Sequence, residues 1–247
     1  MKNYHLYILS VLFIMIVILG CRKSQSSHRA PNHYVSSSET KVETRRERGI
    51  YEKRRANTKS LRKMEGQEIF DKYATAVFMI FTSDGTKGYQ GSGFFISGDG
   101  LAVSNYHVFK GTGIGLEKIK LLGSDVVYNV SEVIAKSDDE DFILFQVDCS
   151  HTNYLPIASS KPKIGERVYA IGSPRGLENT FSSGEISQWR DTNLMQISAL
   201  IDHGSSGGAL INEYGEVIGI TSGSFADGSQ ANLNYAWSID VIKPYLK

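Results

Sequence analysis

Ile201-Asp202-His203-Gly204-Ser205-Ser206-Gly207-Gly208-Ala209-Leu210 places a serine between glycines, with apolar runs on either side. A tight turn of this composition can expose a hydroxyl and turn its own backbone N–H groups inward as an anion hole. Both features suit a serine that attacks a carbonyl. A serine hydroxyl is a poor nucleophile near neutral pH and needs a base within hydrogen-bond reach. Among the six histidines, His107 has the best setting, in Ser104-Asn105-Tyr106-His107-Val108-Phe109. It follows residues 93–103, which read as a β-hairpin turning at 98–100. His5 lies in an N-terminal apolar run, His28 and His33 in a polar tail, and His151 in a polar turn. His203, three residues before Ser206, reads as a shaper of the loop. The orienting acid is Asp141, which abuts the apolar run Phe142-Ile143-Leu144-Phe145-Gln146-Val147. A carboxylate there can fix the imidazole tautomer and stabilise the imidazolium formed during attack. Asp138, Asp139 and Glu140 read as a solvated acidic turn, and Asp125 and Asp202 are weaker alternatives.

Each signal alone has an ordinary structural reading. Gly/Ser-rich loops are common linkers, and a lone histidine is more often a hydrogen-bonded structural residue. The flanking elements change the weighing, because a loop pinned between strands is a better place for chemistry than a linker. Residues 194–200 read as a strand entering the serine loop. Residues 209–211 leave it as a strand, and residues 216–221 return after the turn Asn212-Glu213-Tyr214-Gly215. Residues 65–75 predict a short helix and residues 76–81 the first strand. Short strands then recur with turns rich in Gly, Asn and Asp, and the 24 glycines fit that many turns. The pattern argues for an all-β domain. Gly111-Thr112-Gly113-Ile114-Gly115 lacks the Lys-Ser/Thr of a phosphate loop and reads as a surface loop.

The order His, Asp, Ser resembles the trypsin-like serine peptidases, and more closely their HtrA/Deg branch. Gly91-Ser92-Gly93-Phe94-Phe95-Ile96 with Ser104-Asn105-Tyr106-His107-Val108 resembles its histidine region, and Asp141-Phe142-Ile143-Leu144 its aspartate region. Ala170-Ile171-Gly172-Ser173-Pro174-Arg175-Gly176-Leu177, then Ser183-Gly184-Glu185-Ile186-Ser187, resembles the stretch linking its barrels. Gly204-Ser205-Ser206-Gly207-Gly208 resembles its nucleophile loop and Asn234-Tyr235-Ala236-Trp237-Ser238-Ile239 its closing strand. The likeness spans about residues 66–247. It implies two six-stranded antiparallel barrels, about 76–155 and 165–238, divided near 156–165, with the site between them and a C-terminal helix from Asp240. Three departures stand out. Ala209 replaces a usual Pro, Ser205 replaces a usual Asn or Asp, and no PDZ module follows the protease domain before Lys247.

The resemblance further implies an endopeptidase acting through Ser206, His107 and Asp141, with an anion hole from Gly204, Ser205 and Ser206. The substrate pocket would draw on Leu200, Thr221, Ser222, Gly223, Phe225, Leu233 and Tyr235. Leu200 sits where a trypsin-type enzyme needs an acid, so small or medium apolar residues are expected before the cut. No metal and no cofactor is expected. Polypeptide substrates are the expected partners, nucleic acid is not, and self-association is left open. The competing reading is a peptidase-fold module that binds polypeptides without cutting them. A scaffold docked through its basic segment is a third.

The N-terminus carries a separate signal. Met1-Lys2 precedes an apolar run from Leu6 to Leu19 that ends in Gly20-Cys21. The run is short for a membrane span and suits a signal-peptide core. Its ending resembles a bacterial lipoprotein box, which makes Cys21 the expected lipidation site and the cell envelope the expected location. Residues 22–63 hold 13 Lys/Arg against 4 Asp/Glu, whereas residues 64–247 hold 13 against 22. The overall charge of +1 hides this asymmetry. The basic stretch reads as a flexible stalk, with contact to anionic headgroups as its functional alternative. If Cys21 is lipidated, Cys149 has no partner for a disulfide and reads as a small apolar filler.

Overall fold

Apolar runs of four to six residues, broken by Gly, Asn and Asp, become strands when successive side chains can be buried on opposite faces. Phe142-Ile143-Leu144-Phe145 shows how this works. Ile143 and Phe145 point into the core of the first half of the domain. Phe142 and Leu144 point the other way, into a core shared with the second half. The computed structural model describes residues 62–113, 115–173, 179–224 and 233–246, all within one unit spanning residues 60–247.

Helix α1 (Gly66–Tyr73) and a 3-10 turn (Ala74–Ala76) lead into the first half. Its strands are β1 (Val77–Ser83), β2 (Gly88–Phe95), β3 (Leu101–Ser104), β4 (Lys118–Leu121), β5 (Val127–Tyr128), β6 (Val130–Ser137) and β7 (Phe142–Val147). They form one antiparallel sheet in the order β5-β4-β1-β2-β3-β7-β6. Helix α2 (Tyr106–Phe109) is a single turn between β3 and β4. The second half is a closed barrel of β8 (Arg167–Gly172), β9 (Thr180–Trp189), β10 (Leu194–Ile197), β11 (Ala209–Asn212), β12 (Val217–Ser224) and β13 (Asn234–Ser238). Its strand order is β10-β13-β12-β11-β8-β9.

The all-β architecture expected from the sequence is present, with differences of detail. The first half is a seven-stranded sheet, because a two-residue β5 adds an edge beside β4. The C-terminal helix is 3-10 (Ile239–Tyr245), with Pro244 inside it and the Ser238 hydroxyl accepting from Asp240 N–H at 3.3 Å. The stretch read as a link between barrels is not a link. Residues 167–172 and 180–189 are β8 and β9, paired with each other inside the closed barrel. The crossing between halves lies earlier, after β7 and before β8, where Ile157 bridges Val217. The strand expected at 194–200 stops at Ile197.

Two cores are internal to the halves. The sheet encloses Phe78, Ile80, Phe95 and Phe145, and the barrel encloses Val168, Ile186, Met195 and Leu210. A third core joins Val77, Phe94, Val103 and Leu144 of the sheet to Tyr169, Ile171, Ile211 and Ile220 of the barrel. Burying each such side chain contributes about 1.5–3 kcal/mol. The two halves are thus welded along an apolar seam, and residues at its edge inherit fixed positions. Among the described residues, no helix is long and apolar enough to cross a membrane.

Candidate active site

Asp141 sits at the tight entry to β7 with φ of +44°, a left-handed conformation that Asp tolerates better than most residues. The amide of Asn105 donates to the Asp141 carbonyl at 2.8 Å and holds that conformation. The carboxylate then faces α2. Its Oδ1 accepts the backbone N–H of His107 at 2.9 Å, and its Oδ2 lies 2.8 Å from His107 Nδ1. The Ser222 hydroxyl donates to the same Oδ2 at 2.9 Å. Asp141 is thereby gripped from the first half and from β12 of the second. Its side chain is 16 % exposed and that of His107 is 46 % exposed. The Nδ1 contact commits one edge of the imidazole to the acid and turns Nε2 outward.

The glycine-framed loop approaches from the barrel. Gly91 lies between Val108 and the loop: a Cβ there would come within 2.6 Å of Val108 and 3.2 Å of the Ser206 carbonyl. Gly207 (φ +86°) packs so closely that a Cβ would run into Ser92 O and Ser104 Oγ and lie 3.1 Å from Asn105 N. Only glycine permits both the approach and that φ. Ser92 N–H donates to Ser206 O at 2.8 Å, and Gly207 N–H donates to Thr221 O at 2.7 Å. On the far side, a Cβ at Gly223 would stand 3.5 Å from Ser206 Oγ. Ser222 in β12 thus bonds Asp141, and its neighbour Gly223 lies beside the Ser206 hydroxyl. Among the described residues, no hydrogen bond joins His107 to Ser206.

The backbone amides of this loop are not equivalent. Ser205 N–H donates to Asp202 O at 2.9 Å and is turned away from the cleft. Ser205 O accepts from Gly208 N–H at 2.9 Å and from the Thr221 hydroxyl at 2.7 Å. A trans peptide points its N–H opposite its C=O, so Ser206 N–H points away from Gly208 and the Thr221 hydroxyl. Among the described residues, neither Ser206 N–H nor Gly204 N–H has an acceptor. The pair open to an anion is Gly204 and Ser206, without Ser205.

The expected pocket residues divide. Thr221 is buried, with its hydroxyl spent on the serine loop, and the Ser222 hydroxyl serves the acid. Gly223 flanks Ser206. Leu233 and Tyr235 are half-buried near the start of β13. Leu200 is 67 % exposed, between the buried Ala199 and Ile201. Phe225 and Cys21 lie outside the described residues. Cys149 is half-buried against the sheet core, and burial pushes its thiol pKa up. The site residues that sequence reasoning missed are Asn105 and Ser92. Asn105 stands two positions before His107 and holds Asp141. Ser92 lay inside the glycine motif but was given no role. Among the described residues, no three His, Cys, Asp or Glu side chains gather as metal ligands.

The fold and site define a class: two-part antiparallel β proteins with a paired histidine and carboxylate on one half and a glycine-framed serine loop packed against it from the other. The description "trypsin-like peptidase domain" matches residues 91–220. The chain belongs to that family. It is 36% identical over 160 residues to a probable periplasmic serine endoprotease, DegP-like, of Halomonas elongata, covering 61% of this chain and 33% of that protein. It is 31% identical over 188 residues to the mitochondrial serine protease HTRA2 of Drosophila willistoni, covering 70% of this chain and 41% of that one. The chain therefore spans well under half the length of these curated relatives. The crystal structure of a serine endoprotease from Yersinia pestis superposes with a TM-score of 0.65 at 25% identity, covering 73% of this chain and 65% of that one.

Proposed function

We propose that the protein is a serine endopeptidase that cleaves polypeptides through an acyl-enzyme. The observation that carries this reading is the 2.8 Å contact between Asp141 Oδ2 and His107 Nδ1. It leaves Nε2 as the imidazole nitrogen free to take a proton. Ser206 Oγ attacks the peptide carbonyl and His107 takes its proton. The oxyanion forms against Gly204 N–H and Ser206 N–H. The C–N bond then breaks as His107 returns the proton to the leaving amine, and water repeats the cycle to release the acid. Substrate binding must close the His107–Ser206 gap, as catalytic hydrogen bonds often tighten only in the complex.

An active-site-directed fluorophosphonate tests the reading. Wild type should be labelled at Ser206 by mass spectrometry, and Ser206→Ala should escape labelling. Ser206→Ala should also lose on the order of 10⁴-fold or more in kcat/KM while keeping its fold. Labelling or proteolysis retained by that variant refutes the assignment.

Three finer features belong to the same proposal. Small or medium apolar residues precede the cut, since Leu200 supplies no charge for a basic side chain. A peptide library cleaved strictly after Arg or Lys would overturn this. The enzyme works in the cell envelope on proteins exported there, a location supported by the periplasmic DegP-like relative. Cys21 carries a lipid, supported by its position after the apolar run. Metabolic labelling with palmitate should disappear in Cys21→Ser, and unchanged labelling would end that part.

A further inference from the structure

Among the described residues, Gly204 N–H has no acceptor, and the His203 carbonyl that shares its peptide plane has no donor. Its direction is therefore set by the next plane along, made of Gly204 C=O and Ser205 N–H, through the torsions of Gly204 (φ +95°). That next plane is held at both ends. Ser205 N–H donates to Asp202 O at 2.9 Å, and Gly204 O accepts from the Ser92 hydroxyl at 2.8 Å. The Ser92 hydroxyl proton has no choice of direction. Its oxygen already accepts the backbone N–H of Ser173 at 2.9 Å, and the side chain is fully buried on β2. Its backbone is fixed as well, through Ser92 N–H to Ser206 O and Ser104 Oγ to Ser92 O. Glycine has no Cβ to resist rotation, so a plane beside Gly204 turns over easily once its carbonyl is released.

We propose that the Ser92 hydroxyl is a positioning residue for catalysis, which aims Gly204 N–H at the oxyanion by clamping the Gly204 carbonyl. This rests on the reading of the site as that of a serine endopeptidase. The same hydroxyl ties the anion hole to the end of β8. Ser173 is itself held by Gln90 Nε2 on its carbonyl at 2.5 Å and by Asn179 on its hydroxyl at 3.1 Å. A displacement of Ser173 would therefore reach the anion hole through one side chain.

The test compares wild type with Ser92→Ala and Ser92→Cys. The thiol is a much weaker donor of similar shape, so Cys serves if Ala does not fold. Each variant is checked for a cooperative thermal transition, then measured for kcat, KM and affinity for a peptide boronate. The boronate binds the serine as a tetrahedral anion and reports the anion hole directly. Removing a whole anion-hole donor costs roughly 10²–10³ in rate, and a misaimed one should cost about 10–100-fold. The expected result is that loss in kcat, a matching loss in boronate affinity, and KM within about twofold of wild type. A purely structural role would lower the melting temperature without splitting kcat from KM. A folded variant with kcat and boronate affinity within twofold of wild type overturns the inference and leaves the peptidase reading intact. A wild-type chain that neither turns over peptide nor accepts the fluorophosphonate overturns that reading and this inference with it.

Discussion

The proposed acid and base are tied mainly through the Asp141 carboxylate, whereas the proposed nucleophile is held by the backbone of its loop. Asp141 receives His107 N–H, His107 Nδ1 and the Ser222 hydroxyl on its two oxygens, and Asn105 on its carbonyl. The serine loop instead receives Ser92, Thr221 and Gly208 on its carbonyls, while Ser206 Oγ is left without a bond among the described residues. The difference follows from the chemistry each must do. An imidazole has to keep one tautomer and one orientation while its charge changes. A nucleophile has to rotate and form a covalent bond, so its hydroxyl cannot be tied down, and order must come from the main chain around it.

Two substitutions sharpen this contrast beyond the loss of the nucleophile. Asp141→Asn should keep the loop and the fold but offer Nδ1 the wrong partner, stranding the imidazole in the unreactive tautomer. We expect kcat to fall on the order of 10³–10⁴-fold with little change in the thermal midpoint. A loss under tenfold, measured with peptide substrates, would mean the carboxylate is not the orienting group. Gly207→Ala attacks the other side. The new Cβ meets Ser92 O and Ser104 Oγ at a backbone φ of +86°, so the loop must move or the halves must part. Denaturant unfolding should show a loss of at least about 2 kcal/mol, with activity falling alongside. Unchanged stability would show that the seam between loop and sheet is looser than drawn. The contrast predicts chemistry lost without stability in the first case, and both lost together in the second.

Particular residues show what could be read along the chain. Asp141, His107 and Ser206 could be singled out because each sits at a strand end or a glycine turn, and such local grammar survives without tertiary context. The apolar run 142–147 was legible as a strand, but which of its side chains face which core was not. The pairing of residues 167–172 with 180–189 inside one barrel was not legible, since such strands look alike whether they pair with each other or cross between barrels. Ser222 and Thr221 were expected in a pocket wall, and their hydroxyls turned out to hold the acid and the loop. Nothing local distinguishes those uses, because both partners lie far away in sequence.

The chain by itself determined the element types and the chemical inventory: a strand-rich domain, one well-placed imidazole, a strand-mouth carboxylate and a serine on a glycine turn. Side-chain periodicity and turn chemistry are short-range, and they act before any fold exists. Tertiary structure decided which groups share a hydrogen bond, which amides stay open to an anion, and that the buried hydroxyl of Ser92 touches the turn 112 residues away. Those contacts depend on how the apolar seam brings the two halves into register, and no stretch of sequence encodes that alone.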